Sequence, residues 1–123
     1  MKRTTLFSIF VLTAFNLLAQ HYQQPISLEQ KGGGRTGQPI AFDIPAAYYS
    51  YGPKTQEIII DGGGAVSYYD VEISSPVTNT VEISTQVNGT YDTFDISSLS
   101  PGSHVITIES PSGNIYEGTF TTY

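Results

Sequence analysis

The chain has 123 residues, no cysteine, five basic and eleven acidic residues, and a net charge of −6. Disulfide staples and cysteine-held metals are therefore excluded, and an acidic chain of this kind lacks the basic patch that nucleic acid or an anionic membrane surface requires. Length alone fits one domain able to bury a single core without covalent help.

The first nineteen residues differ from the rest. Lys2 and Arg3 precede an apolar run from Leu6 to Leu18, which ends at Ala19 before the polar stretch Gln20–Gln24. A positive start, a short apolar core and a small residue at the exit read as a secretory signal peptide over 1–19. The run falls short of the roughly 20 apolar residues of a spanning helix. The expected working protein begins at Gln20 and is exported to the periplasm, the cell surface or the medium. Residues 20–24 are expected to be a disordered new N-terminus and 25–123 a single domain. Without the first nineteen residues, three basic residues stand against eleven acidic ones, a net −8.

In the remainder, β-branched and aromatic residues alternate with polar ones in short runs bounded by Gly, Pro, Asn or Ser, and no helical spacing develops. That pattern predicts an all-β sandwich. Gln24–Gln30 reads as a first edge strand, with Ile26 and Leu28 on one face. After the glycines 32–34, Ile40, Phe42 and Ile44 alternate, so residues 39–44 open a second strand. Pro45 marks an edge or a bulge, and Ala46–Ser50 continue the strand to a turn at Gly52-Pro53. Residues 55–61 (TQEIIID) form the next strand, and three consecutive isoleucines imply burial on both faces or an inner strand of the sandwich. Gly62–Gly64 supply the positive φ angles of a tight connection, after which residues 65–74 pair back.

Residues 80–87 follow the turn at 75–79, with Val81, Ile83, Thr85 and Val87 on one face. Asn88-Gly89 is a hairpin-type turn signal, leading to a short strand at 91–96. Leu99 is expected to plug the turn at 97–102. Residues 103–109 put Ile106 and Ile108 on one side, a hairpin closes through Pro111 and Gly113, and the last strand at 115–121 turns Tyr116 and Phe120 inward. Seven or eight strands result, in one domain.

The stretch from Phe94 to Phe120, FDISSLSPGSHVITIESPSGNIYEGTF, resembles the end of a family of small exported Bacteroidetes proteins, the domain-of-unknown-function family 3244. Upstream, Ile26–Leu28, Arg35, Ile44-Pro45, Glu57–Asp61 and Val81–Ile83 fall in the family's order, so the likeness spans nearly all of residues 25–121. The resemblance implies an immunoglobulin-like β-sandwich of about seven antiparallel strands and export, and brings no activity and no catalytic residues. The Leu–Pro-Gly turn and hairpin also resemble the C-terminal sorting domain of the type IX secretion system. Here, however, only the signal peptide precedes the domain, and the last residues, Thr121-Thr122-Tyr123, are not basic.

Chemistry-bearing patterns are sparse. Gly32–Gly37 matches G-x-G-x-x-G in letters, but a strand follows it rather than the helix that holds a pyrophosphate. The two histidines, His21 and His104, are far apart and no cysteine accompanies them, which argues against zinc, and His104 is in step with Ile106 and Ile108, so its ring is expected to cap the core. Asp61, Asp70 and Glu72 beside the glycines, and Asp92 and Asp95 around Phe94, have no spacing of a catalytic pair or of a calcium loop. Neither cofactor nor metal is expected. Asn88-Gly89-Thr90 matches a glycosylation sequon whose simpler role is the turn. Tyrosines are the best lead: Tyr48, Tyr49 and Tyr51 cluster, and Tyr68 and Tyr69 follow the glycines. Adjacent strand residues face opposite sides, so one of each pair is core and the other can stack on a sugar or anchor a protein. Tyr49, Tyr51 and Tyr68 are the candidate ligand contacts. The function expected is a non-enzymatic binding module for a glycan or an envelope protein, as a monomer or weak oligomer. Its alternatives are an assembly module pairing through the edge at 25–30 and, last, a small hydrolase.

Overall fold

A computed structural model describes residues 22–32 and 43–123. Among them lie nine strands and no helix: β1 (Tyr22–Ile26), β2 (Glu29–Gly32), β3 (Ala46–Tyr51), β4 (Gln56–Asp61), β5 (Tyr68–Ser74), β6 (Val81–Asn88), β7 (Tyr91–Asp95), β8 (Gly102–Glu109) and β9 (Ile115–Thr122). They form two antiparallel sheets, a four-stranded one in the order β1-β3-β4-β7 and a five-stranded one in the order β2-β9-β8-β5-β6. The signal peptide, the glycine run beyond Gly32, Arg35, His21 and the alternation at Ile40 and Phe42 lie outside the described residues.

Period-2 patterning builds the core. On the five-stranded sheet, Thr85, Val71, Ile108 and Tyr116 form one cross-strand row, and Ile83, Ile73, Ile106 and Gly118 form the next. Ile26, Ala47, Tyr49, Ile58 and Ile60 face them from the four-stranded sheet. Leu99 packs against this core from its turn, as expected, and Gly113, at φ 91°, closes the β8–β9 hairpin with Ser110 and Asn114. Tyr116, Phe120, Ile106 and Ile108 are all buried inward.

Several expectations are corrected. The first edge strand is two strands, because the chain leaves the four-stranded sheet at Ser27 and joins the five-stranded one at Glu29. Tyr22–Gln24, expected to be disordered, are paired with Tyr49–Tyr51 in β1. This switch needs Gly118, where an added Cβ would lie 2.5 Å from the Ser27 carbonyl oxygen and 2.8 Å from Ile26. Ile26 and Leu28 fill the space that glycine leaves in its row.

β5 does not pair back onto β4. Gly63 and Gly64 do take positive φ, 65° and 85°, but the connection carries the chain across to the other sheet, where β5 pairs with β6 and β8. Asn88-Gly89 likewise crosses back rather than closing a hairpin, and neither residue has positive φ. Glycine is required at 89 for close approach, since a Cβ there would fall 1.8 Å from the Val66 carbonyl oxygen.

Residues 43–45 are not strand, and Pro45 precedes an inner strand instead of interrupting an edge. Asp43 and Pro45 are buried while Ile44 is 42% exposed. This inverts the facing expected from the Ile40-Phe42-Ile44 alternation.

Candidate functional site

The inversion decides which tyrosine faces out. Ala47 and Tyr49 point into the core and Tyr48 points to the outer face of the four-stranded sheet, half-buried. Tyr49 is fully buried, its hydroxyl donating to Gln56 Oε1 at 2.5 Å, and burial raises its pKa. Its place among the exposed contacts is therefore corrected. Tyr51 faces the same way as Tyr49 and packs edge-on against Tyr123 at 6.0 Å, closing one end of the sandwich. Tyr68, outward on β5, is opposite Asn88 at the other end and on the other sheet. Of the two adjacent pairs, Tyr69 is the core member of one and Tyr49 of the other. The three candidate tyrosines therefore do not form one surface.

Sequence reasoning missed the surface built around Tyr48. Register places Pro25, Tyr48, Ile59 and Thr93 in one row across β1, β3, β4 and β7. Ile59 faces outward, apart from the inter-sheet core, yet is only 5% exposed. The expectation of burial on both faces of the isoleucine run is met, and it is met by this outer row. On one side lies the row Gln23, Ser50, Glu57, Asp95, and on the other Ala46, Asp61, Tyr91, with Tyr91 54% exposed. Ser97 donates from its hydroxyl and its N–H to Asp95 Oδ1 and lowers the pKa of that carboxyl. A mostly apolar strip centred on the Tyr48 ring, flanked by carboxylates, the Gln23 amide and the Tyr91 ring, can stack on the C–H face of a sugar while accepting from its hydroxyls.

The outer face of the five-stranded sheet differs. Asp70 is opposite Glu109, and Glu72, Thr107, Glu117 and Glu29 form a row. A concavity of about 420 Å³ opens there, lined by Glu72, Ser74, Asn79, Val105 and Glu117 among others. Among the described residues no group of three or more His, Cys, Asp or Glu side chains could hold a metal ion.

His104 caps the core as expected, 4% exposed and stacked on Phe120 at 5.6 Å. Its Nδ1 meets Glu82 Oε1 at 2.8 Å, and its Nε2 is 2.8 Å from the Ser100 carbonyl oxygen and 3.2 Å from the Thr122 hydroxyl. A carboxylate, an imidazole and a hydroxyl in line suggest nucleophilic chemistry. Nε2 must present an N–H to the Ser100 carbonyl, so it is not a base for Thr122, and Thr122 is itself buried at 3% exposure. The group is structural.

Asp43 is the other buried polar side chain with a network of partners, 8% exposed. Burial works to raise its pKa, but the surrounding polar side chains of Ser110, Tyr116, Ser112 and Asn114 outweigh it and bring the value down to about 2, with Tyr116, Ser112 and Asn114 donating to the carboxylate directly and Ser110 bonded to Ser112. Burial and the Asp43 carboxylate together push the Tyr116 hydroxyl well above its usual range. Every donor is spent within the fold, so this node fastens the segment before β3 to the β8–β9 hairpin.

Among solved structures the chain is similar to a family 3244 protein from Bacteroides vulgatus ATCC 8482 with an immunoglobulin-like β-sandwich fold. The match has a TM-score of 0.62 at 10% identity and covers 83% of this chain and 100% of that one. The fold is an immunoglobulin-like β-sandwich. No family model and no curated protein matches the chain. The immunoglobulin-like sandwich is the architecture that the resemblance over residues 25–121 implies, and it prescribes no activity.

Proposed function

We propose that this protein is an exported, non-enzymatic binding domain that holds carbohydrate on the outer face of its four-stranded sheet, with Tyr48 at the centre of the contact. The observation that supports this reading is the outer row Pro25, Tyr48, Ile59, Thr93. A sheet face turned to water normally alternates to polar residues. Here Pro25, Tyr48 and Ile59 make most of the central row apolar or aromatic, with only Thr93 at its end polar, and further polar groups that could fix a sugar's hydroxyls lie on both sides. Export rests on the signal-peptide pattern of residues 1–19.

Binding to a panel of envelope and extracellular polysaccharides, measured with wild-type protein and with Tyr48→Ala, tests the proposal. Binding that falls with Tyr48→Ala and survives Tyr68→Ala supports it. Absence of wild-type binding to any glycan, or retention of binding in Tyr48→Ala, overturns it. Sequencing the N-terminus of the protein recovered from its native culture tests export, with Gln20 as the expected first residue.

A further inference from the structure

We infer that β6 is a self-pairing edge, through which two copies of this chain join their five-stranded sheets into one ten-stranded sheet about a two-fold axis at Thr85. Among the described residues four strands lie at sheet edges: β1 and β7 in one sheet, β2 and β6 in the other. Exposed edges are ordinarily guarded by shortness, proline, lysine, bulges or charge. β1 is five residues and contains Pro25. β2 is four residues, with Lys31 in an irregular register between Gln30 and Gly32. β7 is five residues and carries Asp92 and Asp95, whose carboxylates occupy backbone N–H groups of Asn88, Thr93 and Ser97.

β6 is eight residues long and contains neither proline nor lysine. Its one irregularity lies opposite Ile73 and Ser74, where Glu82 is the unpaired extra residue. The bulge turns Glu82 to His104 at 2.8 Å. The strand's single charge is thereby drawn away from the edge, and residues Ile83 to Asn88 run on without interruption.

That run is symmetric in character. Reading outward from Thr85, Ser84 and Gln86 are polar, Ile83 and Val87 apolar, and Glu82 and Asn88 polar. Antiparallel pairing about Thr85 therefore sets Ile83 against Val87 of the second copy, Ser84 against Gln86, and Thr85 against Thr85, with no charge opposite a like charge. A two-fold interface must be self-complementary in this way, and cross-strand pairs of these types stabilise a sheet. The Asn88 N–H is taken by Asp92 rather than by β5. By the alternation of antiparallel ladders, Ser84 and Gln86 then have their backbone groups turned away from β5 and free to pair. Thr85 falls at a non-hydrogen-bonded position, where facing Cα atoms approach to about 4.5 Å, inside the range of a disulfide. So short a contact makes a weak dimer. It leaves the Tyr48 face of both copies open, so an immobile polysaccharide would meet two linked faces.

The absence of cysteine makes the test direct. Purified exported protein is expected to sediment as a concentration-dependent dimer, and Thr85→Cys to crosslink under mild oxidation far more completely than Thr93→Cys on the β7 edge. Thr85→Lys is expected to weaken association at least tenfold (about 1.4 kcal/mol), and mixing it with Thr85→Glu to restore a mixed dimer, with circular dichroism confirming that each variant is folded. A wild-type chain that stays monomeric at millimolar concentration overturns the inference. So does Thr85→Cys crosslinking no better than Thr93→Cys, or Thr85→Lys associating like wild type. The crosslinking and wild-type sedimentation decide the matter if the charged variants fail to fold. Glycan binding by a strict monomer would sink this inference alone.

Discussion

The Tyr116 hydroxyl donates to the Asp43 carboxylate across 73 residues of chain, and both groups are buried. Ser112 adds a hydroxyl at 2.8 Å and Asn114 an amide at 3.2 Å to each carboxylate oxygen. The Asp43 carbonyl accepts from Tyr69 at 2.7 Å. One residue thus gathers the segment before β3, the β5 core and the β8–β9 hairpin.

This node predicts acid sensitivity. Asp43 has its pKa lowered from 3.8 to about 2, so the folded state favours the ionised form more than the unfolded state does. The resulting stability is fully present above the unfolded value and is lost as pH falls from about 4 towards 2. Its size is about 2 kcal/mol. Urea titrations at pH 7, 4 and 2 check it: wild type is expected to lose this increment between the last two, and Asp43→Asn to lack it at pH 7 already. Equal losses for both proteins would remove Asp43 as the cause.

Gly118→Ala is expected to destabilise locally. The added methyl would meet the Ser27 carbonyl oxygen at 2.5 Å, a backbone atom that yields only if the sheet switch between β1 and β2 is pushed away. Overpacking of this kind costs about 1–3 kcal/mol. Hydrogen exchange should show protection lost in β1 and β2 and largely kept in β8. Uniform loss across all strands would contradict the local account.

His104→Ala leaves Glu82 without its partner and the Ser100 carbonyl with one donor fewer, and removes the ring stacked on Phe120. The expected cost is about 2–4 kcal/mol. Glu82→Gln keeps an acceptor for the ring and should cost under about 1 kcal/mol. A denaturation series comparing the two separates a hydrogen-bonded cap from a charge effect, because a charge effect would bring the cost of Glu82→Gln up towards that of His104→Ala.

These elements also show what the amino-acid order reveals. Alternation in 103–109 and 115–121 is unbroken, so facing and the capping role of His104 could be read residue by residue. Sheet membership could not. Gly62–Gly64 and Asn88-Gly89 carry the same residue types as hairpin turns, yet they cross between layers because of backbone contacts with residues distant in sequence. The facing of Tyr48 and Tyr49 was hidden for a related reason. Two small alanines precede them, and the only nearby phase marker, Ile44, is on the wrong side of an irregular stretch where Asp43 takes the buried place. A lone aspartate among apolar residues has no motif, and its partners lie in the 110–116 hairpin.

Facing now separates two effects that the adjacent tyrosines would otherwise confuse. Tyr49→Phe removes only the hydroxyl that donates to Gln56, and should cost about 1 kcal/mol of stability with no change in carbohydrate affinity. Tyr48→Ala removes an outward ring from the row with Ile59. Loss of one stacking contact corresponds to about 0.5–1.5 kcal/mol, a two- to tenfold fall in affinity. Its unfolding midpoint should drop only modestly, since the inter-sheet core is untouched. Isothermal titration with a bound polysaccharide, run beside thermal melts of the same samples, measures both. If Tyr49→Phe weakened binding as much as Tyr48→Ala, affinity would be tracking stability rather than this surface, and the outer row would lose its claim to the ligand.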